Sequence, residues 1–160
     1  MLEEVDYGAE LSECRTYRYV LWRIWDNSKP KIMFIGLNPS TADENTDDNT
    51  ITRCISFAKS WGYGGFYMTN LFAYRSKDKS QLYCVDNPIG IDNDEYIIKY
   101  ANLSEKVIAA WGNDGSFLYR SKIVANLISP LFCLEINQTG EPKHPLYVRS
   151  DMELKEYKRK

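Results

Sequence analysis

Four short apolar runs, separated by polar loops and helical stripes, constrain this chain more than any other feature. They are KIMFIGL (31–37), GFYMTNLFAYR (65–75), KVIAAWG (106–112) and LFCLEIN (131–137). Runs of this length suit strands buried on both faces. Between the first two lies a helix pattern, with Ile51, Cys54, Ile55 and Ala58 at i, i+3, i+4 and i+7. Asn49 or Thr50 can cap it, because their side-chain oxygens reach the free N–H groups of a first turn. Asp92 can cap a second helix carrying Ile97, Tyr100 and Ala101. A third helix carries Ile123, Val124, Leu127 and Ile128 on one face, and Pro130 follows its end. Strands alternating with helices imply right-handed crossovers and a mostly parallel sheet covered on both sides. The expected fold class is therefore α/β, a three-layer α/β/α sandwich around a four-stranded mostly parallel sheet.

The flanks add less. Residues 1–12 read as a loose, acidic lead-in, and MLEEVDYGAE does not resemble a secretory signal. Residues 14–25, CRTYRYVLWRIW, alternate as a strand does, with bulk on both faces. They predict a half-covered antiparallel edge strand or hairpin, which could pair with a second copy. The last residues read as a short helix. With no repeat, low-complexity tract or linker, residues 1–160 form one domain.

Charge and cysteines narrow the function. A net charge of −2 argues against a protein that coats nucleic acid non-specifically, since that mode rests on many phosphate contacts. It leaves room for a local basic stripe: Arg15, Arg18, Arg23, Lys29 and Lys31 cluster early and read either as such a stripe or as solvated surface, whereas the terminal KEYKRK reads as solvated surface. Cys14, Cys54, Cys84 and Cys133 form no CxxC pair, so zinc-ligand spacing is absent and no metal or cofactor is expected. Free thiols suit a cytoplasmic protein. No segment has the length of a membrane span.

In open α/β sheets the ligand sits beyond the carboxyl ends of the strands. That rule points at NPSTAD, TNLFAYR, WGNDG and GEPKHPL, each after a different apolar run. Each could be ordinary loop chemistry alone. Together they bring Asn38, Asn70 and His144 to one end of the sheet.

These segments carry a resemblance. RYVLWRIW (18–25), GLNPSTAD (36–43), DDNTITRC (47–54), FAKSWGYGG (57–65), TNLFAYR (69–75), AWGNDG (110–115) and GEPKHPLYV (140–148) resemble a bacterial and phage family catalogued as domain of unknown function 1643. Where that family usually has DDPT, Asn49 replaces the proline. More distantly, GLNPS is similar to the first motif of the uracil-DNA glycosylase superfamily. MTNLFAY is similar to its second strand, AAWG to its Leu-Trp-Gly strand, and KHPLYV to its His-Pro-Ser-Pro motif. The first motif here lacks the aspartate of the uracil-specific branch, and Leu146 replaces the serine of the last motif.

The distant resemblance implies cleavage of the N-glycosidic bond of a flipped or modified base. Asn70 would read the base edge, for which an amide offers both donor and acceptor. Phe72, Tyr74 or Trp111 would stack on the base, unless they pack the core. His144 would donate to the departing base anion, and Asn38 would position water. Asp47 or Asp48 would be the general base, unless it caps the following helix. Pro39, Ser40, Arg75, Gly112 and Pro145 complete the expected substrate-binding set. DNA or a nucleotide is the implied partner. Two alternatives stay open: a catalytically inactive nucleic-acid or nucleotide-binding protein of the same fold, and a hydrolase holding Mg²⁺ on Asp43, Glu44, Asp47 and Asp48.

Overall fold

The computed structural model describes residues 5–158. Seven strands form one mixed sheet: β1 (Asp6–Leu11), β2 (Arg18–Ile24), β3 (Lys31–Gly36), β4 (Gly65–Asn70), β5 (Val107–Ala109), β6 (Leu131–Cys133) and β7 (Lys155–Tyr157). Their spatial order is β1-β2-β4-β3-β5-β6-β7. The pairs β4–β3, β3–β5 and β5–β6 are parallel, and β1–β2, β2–β4 and β6–β7 are antiparallel. Three helices, α1 (Asn49–Ser60), α2 (Asn93–Ala101) and α3 (Arg120–Leu127), complete the α/β fold.

The apolar runs become strands because both of their faces find cover. Ile32 and Phe34 of β3 pack with Ile51, Cys54, Phe57 and Ala58 of α1. Met33 and Ile35, on the opposite side of the same strand, cluster with Ile97 and Tyr100 of α2 and Val124 of α3. Phe57 is 1% exposed and stacks on Trp61. Its truncation to alanine would cost about 3–5 kcal/mol, the transfer loss plus the cavity left behind.

Several expectations need correction. Part of the supposed lead-in is strand β1, which is the sheet edge, while β2 lies between β1 and β4. Residues 155–157 form β7 rather than a helix, since they complete the antiparallel edge beside β6 and bury Tyr157 against Trp111, while the rest of that expectation, at 159–160, lies outside the described residues. The second, third and fourth runs are strands over only 65–70, 107–109 and 131–133, because the chain then leaves the sheet for loops. The basic cluster is only partly solvated: Arg15 and Lys29 are exposed. Arg18 and Arg23 are buried, and Arg15 binds Glu44 at 3.0 Å. The loop over 38–48 folds across β2 and supplies the acceptors, with Arg23 Nε 2.8 Å from Asp47 and Nη2 bonded to the Asp43 carbonyl.

Helix details also differ. The α1 cap is Asp48, whose Oδ1 accepts the Ile51 N–H at 2.9 Å, and not Asn49 or Thr50. Asp92 occupies the α2 N-cap without a side-chain cap bond. Ile123 and Leu127 face solvent, 42% and 43% exposed. The buried side of α3 is instead Arg120, Ser121 and Val124, because Arg120 reaches inward to the Leu71 carbonyl and to Asp94. No helix among the described residues is long and apolar enough to cross a membrane.

Candidate functional site

The parallel strands β3, β4 and β5 end on Gly36, Asn70 and Ala109, and the loops that follow enclose a cavity of about 690 Å³. This lies within the usual range for small-molecule sites, about 300–1,000 Å³. Among the sequence-predicted residues, Asn38, Pro39, Ser40, Asp48, Asn70, Trp111, Gly112 and His144 line it. Residues from five separate chain segments therefore meet in one place.

Local chemistry fixes each one. Asn70 closes β4 with its side chain almost fully buried, 1% exposed, and its Nδ2 has no partner. Its backbone carbonyl accepts from Asn93 Nδ2 at 2.8 Å, which holds the strand end. Asn38 follows β3. Its Nδ2 donates to the carbonyls of Ser76 (3.1 Å) and Pro39 (3.2 Å), stitching this loop to the one after β4. With both amide hydrogens so engaged, Oδ1 is the atom it has left to offer, as an acceptor.

His144 reaches the cavity because the chain turns back after β6. Gly140, at φ +90°, closes a turn in which its N–H bonds the Asn137 carbonyl, and Ile136 then bridges Pro142. Gly112 N–H donates to the Pro142 carbonyl at 2.9 Å, and a Cβ there would lie 3.8 Å from the His144 Cβ. The positive φ of Gly112, +77°, is open to glycine at no steric cost. His144 Nδ1 accepts the Leu146 N–H at 3.2 Å. The neutral ring therefore carries its proton on Nε2. Burial, then the positive charge of Lys79, pushes its pKa below 6.5, against an opposing pull from Asp48.

The remaining expected residues are elsewhere. Phe72 is fully buried and packs on Phe117, centroids 5.5 Å apart, in the core. Tyr74 meets Tyr17 edge-on at 6.0 Å. Together with Arg75 it borders a separate shallow depression beside Arg15. Pro145 is buried at the start of a 3-10 turn and uses its carbonyl to accept from Arg53. Trp111 forms cavity wall but is 1% exposed and backed by Gly115, where a Cβ would stand 2.2 Å from its Cδ1. The exposed aromatic that lines the cavity is Tyr147, 5.7 Å from the His144 ring.

Sequence reasoning missed Arg18, Lys77, Lys79 and Lys143 as lining residues. Arg18 stands on a strand read as peripheral, Lys77 and Lys79 lie in a stretch without a motif, and Lys143 was passed over beside His144 within GEPKHPLYV. The acidic loop is committed to other work. Asp43 and Glu44 lie against Arg15, Asp47 binds Arg23, and Asp48 spends Oδ1 on its cap. No group of three metal-ligating side chains gathers among the described residues.

No curated protein and no solved structure matches the chain. One family profile does, over residues 18–146, a span that opens on Arg18 and closes on Leu146, both of which line the cavity. The match covers most of the sequence, and the chain belongs to the family described as Protein of unknown function (DUF1643).

Proposed function

We propose that this protein recognises a nucleobase in the cavity and is a DNA glycosylase-like enzyme that cleaves the N-glycosidic bond of a flipped or modified base. The observation that carries this reading is Asn70, a buried amide whose Nδ2 has no protein partner, on the wall of a nucleotide-sized cavity. Leaving a buried donor unmade costs about 1–3 kcal/mol. A base edge supplies the missing acceptor, and the side-chain Oδ1 of Asn70 accepts in return. The finer fold reading, a three-layer sandwich of the uracil-DNA glycosylase kind, agrees with the parallel order β4-β3-β5-β6 and with the cavity's place at the strand ends.

In the reaction, the C1′–N bond breaks and its electron pair stays on the base. Neutral His144 donates from Nε2 to the base oxygen where that charge accumulates. Such a preorganised donor contributes about 10²–10³ in rate. Asn38 Oδ1 accepts a hydrogen bond from the water that attacks C1′, and the second oxygen of Asp48 takes the water's proton.

The test is incubation with oligonucleotides bearing uracil, mismatches and modified pyrimidines, with abasic sites as the readout. The reading expects base release that persists in EDTA and is lost in His144→Ala. One observation favours a second reading, recognition without hydrolysis: Asp48 already serves as the α1 cap. Binding without release from any of these substrates would establish that reading. EDTA-sensitive strand or phosphate cleavage would contradict both.

A further inference from the structure

Among the described residues three arginines are buried almost completely, and they are of two kinds. Arg23 is spent: Nε pairs with Asp47 at 2.8 Å, and its other nitrogens reach the carbonyls of Gly8, Trp22, Asp43 and Thr46. Arg120 is spent as well, on the Leu71 carbonyl and on both oxygens of Asp94. Arg18 is 2% exposed and makes one side-chain hydrogen bond, from Nη1 to the Ala42 carbonyl at 3.0 Å. Its Nε is buried without a partner, and among the described residues it forms no ion pair. Arg18 is also the one of the three that lines the cavity.

A guanidinium removed from water without a counter-ion is unfavourable, so folded proteins pair such groups. Here the guanidinium sits on the wall of a hollow, with Asp48 and Asp43 acting on it through space but neither within ion-pair distance, and burial still pulls its pKa down to about 10. The other buried unpartnered polar atoms on cavity-lining residues, Asn70 Nδ2 and Trp111 Nε1, are donors too. At the rim, Lys79 and Lys143 are held by Asp114 and Glu135, while Lys77 has no ion-pair partner among the described residues. The lining acids are engaged, Asp48 and Asp78 as caps of the turns that follow them and Asp114 on Lys79, so the groups left over call for a ligand that brings acceptors and negative charge.

We infer that Arg18 anchors a phosphate of the ligand, so that the cavity takes a nucleotide in preference to a bare base or nucleoside. A phosphate presents acceptors alone, and the planar guanidinium fork matches its oxygens. The inference rests on the proposed nucleobase reading for the rest of the ligand, but not for the anchor itself. The phosphate has two possible sources, the 5′-phosphate of a free mononucleotide or a phosphodiester of a strand.

The test is isothermal titration of the full chain with the common nucleosides, their 5′-monophosphates, inorganic phosphate and short single-stranded oligonucleotides. Wild type is compared with Arg18→Met, Arg18→Lys and Asn70→Ala. At least one phosphorylated probe should bind about tenfold or more tighter than its nucleoside. That advantage should vanish in Arg18→Met and shrink in Arg18→Lys. The melting temperature of Arg18→Met should equal or exceed that of wild type, because a buried charge with no ion pair is gone.

An advantage confined to monophosphates identifies a free nucleotide, and one confined to oligonucleotides identifies a strand. Failure of every phosphate-bearing probe to out-bind its nucleoside overturns the inference. So does a fall in melting temperature with nucleotide affinity unchanged, which would make Arg18 purely structural. If Arg18→Met does not fold, Arg18→Lys decides: an undiminished phosphate advantage in it overturns the anchor. Nucleoside binding that depends on Asn70 but not on phosphate leaves the base reading intact while the anchor fails. Phosphate binding indifferent to Asn70→Ala does the reverse.

Discussion

Gly36 and Asn70 stand opposite each other on the parallel strands β3 and β4, and a Cβ on Gly36 would fall 2.7 Å from Asn70 Oδ1. The same Cβ would stand 2.9 Å from Met68 Cε, a flexible end that can move aside. The amide cannot move without changing what it offers the cavity. Gly36→Ala should therefore weaken nucleoside or nucleotide binding about tenfold or more, at a stability cost of about 1–3 kcal/mol for the overpacking. Titration calorimetry beside urea denaturation separates the two effects.

His144 makes stability pH-dependent in a defined direction. Its folded pKa is depressed by burial and by Lys79, below the ordinary 6.5. As pH falls below 6.5 the unfolded chain takes up a proton that the folded one refuses, so stability declines with acidification until the folded pKa is passed. Urea midpoints between pH 7.5 and 5 should fall more steeply for wild type than for His144→Asn. An identical slope in both would show that the imidazole does not carry this effect.

Arg120 ties α3 to α2 and to the chain leaving β4, through Asp94 and the Leu71 carbonyl. Its guanidinium is 2% exposed, while the Asp94 side chain is 42% exposed. Asp94→Asn strands the buried cation and should cost about 3 kcal/mol, the low end for breaking a buried pair because water still reaches the partner. Arg120→Met, which removes the charge altogether, should cost less than Asp94→Asn. Chemical denaturation of both variants checks the order.

Cys14 and Cys84 are the exposed free cysteines among the described residues, and Cys14 should be a reactive thiol. The hydroxyls of Thr16 and Ser12 lie 3.1 and 3.5 Å from its Sγ and bring its pKa down to about 7. Cys54 is fully buried and pushed the other way. At pH 7, iodoacetamide followed by peptide mass spectrometry should label Cys14 well before Cys54 and Cys133, since the thiolate is the nucleophile. Thr16→Val should slow that labelling without altering ligand binding, because neither residue lines the cavity.

The four central strands were legible because their apolar runs are buried on both faces, and a two-sided core leaves a strong signal. The convergence of Asn38, Asn70 and His144 followed from a topological rule rather than from any one motif. The edges were not legible. DYGAEL of β1 is polar and pairs only with β2, and KEY of β7 is three residues long. Tertiary context decides such strands, not propensity. Arg18 and Arg23 looked like surface because arginine usually is. The acceptors that let them be buried come mostly from the loop over 38–48, 20 to 24 positions away in sequence for the bonds to Ala42, Asp43 and Asp47, and much of the supply is main-chain carbonyl. Phe72 is an aromatic in a strand-end segment, and nothing local distinguishes a base-stacking ring from a core one. Its contact with Phe117 settles that in space.

The most direct measurement of the central claim is the side-chain amide resonance of Asn70 in a ¹H–¹⁵N correlation spectrum during titration with nucleosides and nucleotides. A base hydrogen-bonded to Nδ2 should shift that resonance in a saturable way, and the shift should be absent for ribose 5-phosphate, which lacks a base. An Asn70 amide that ignores every base-bearing ligand, while other cavity resonances respond to ribose 5-phosphate alone, would contradict nucleobase recognition.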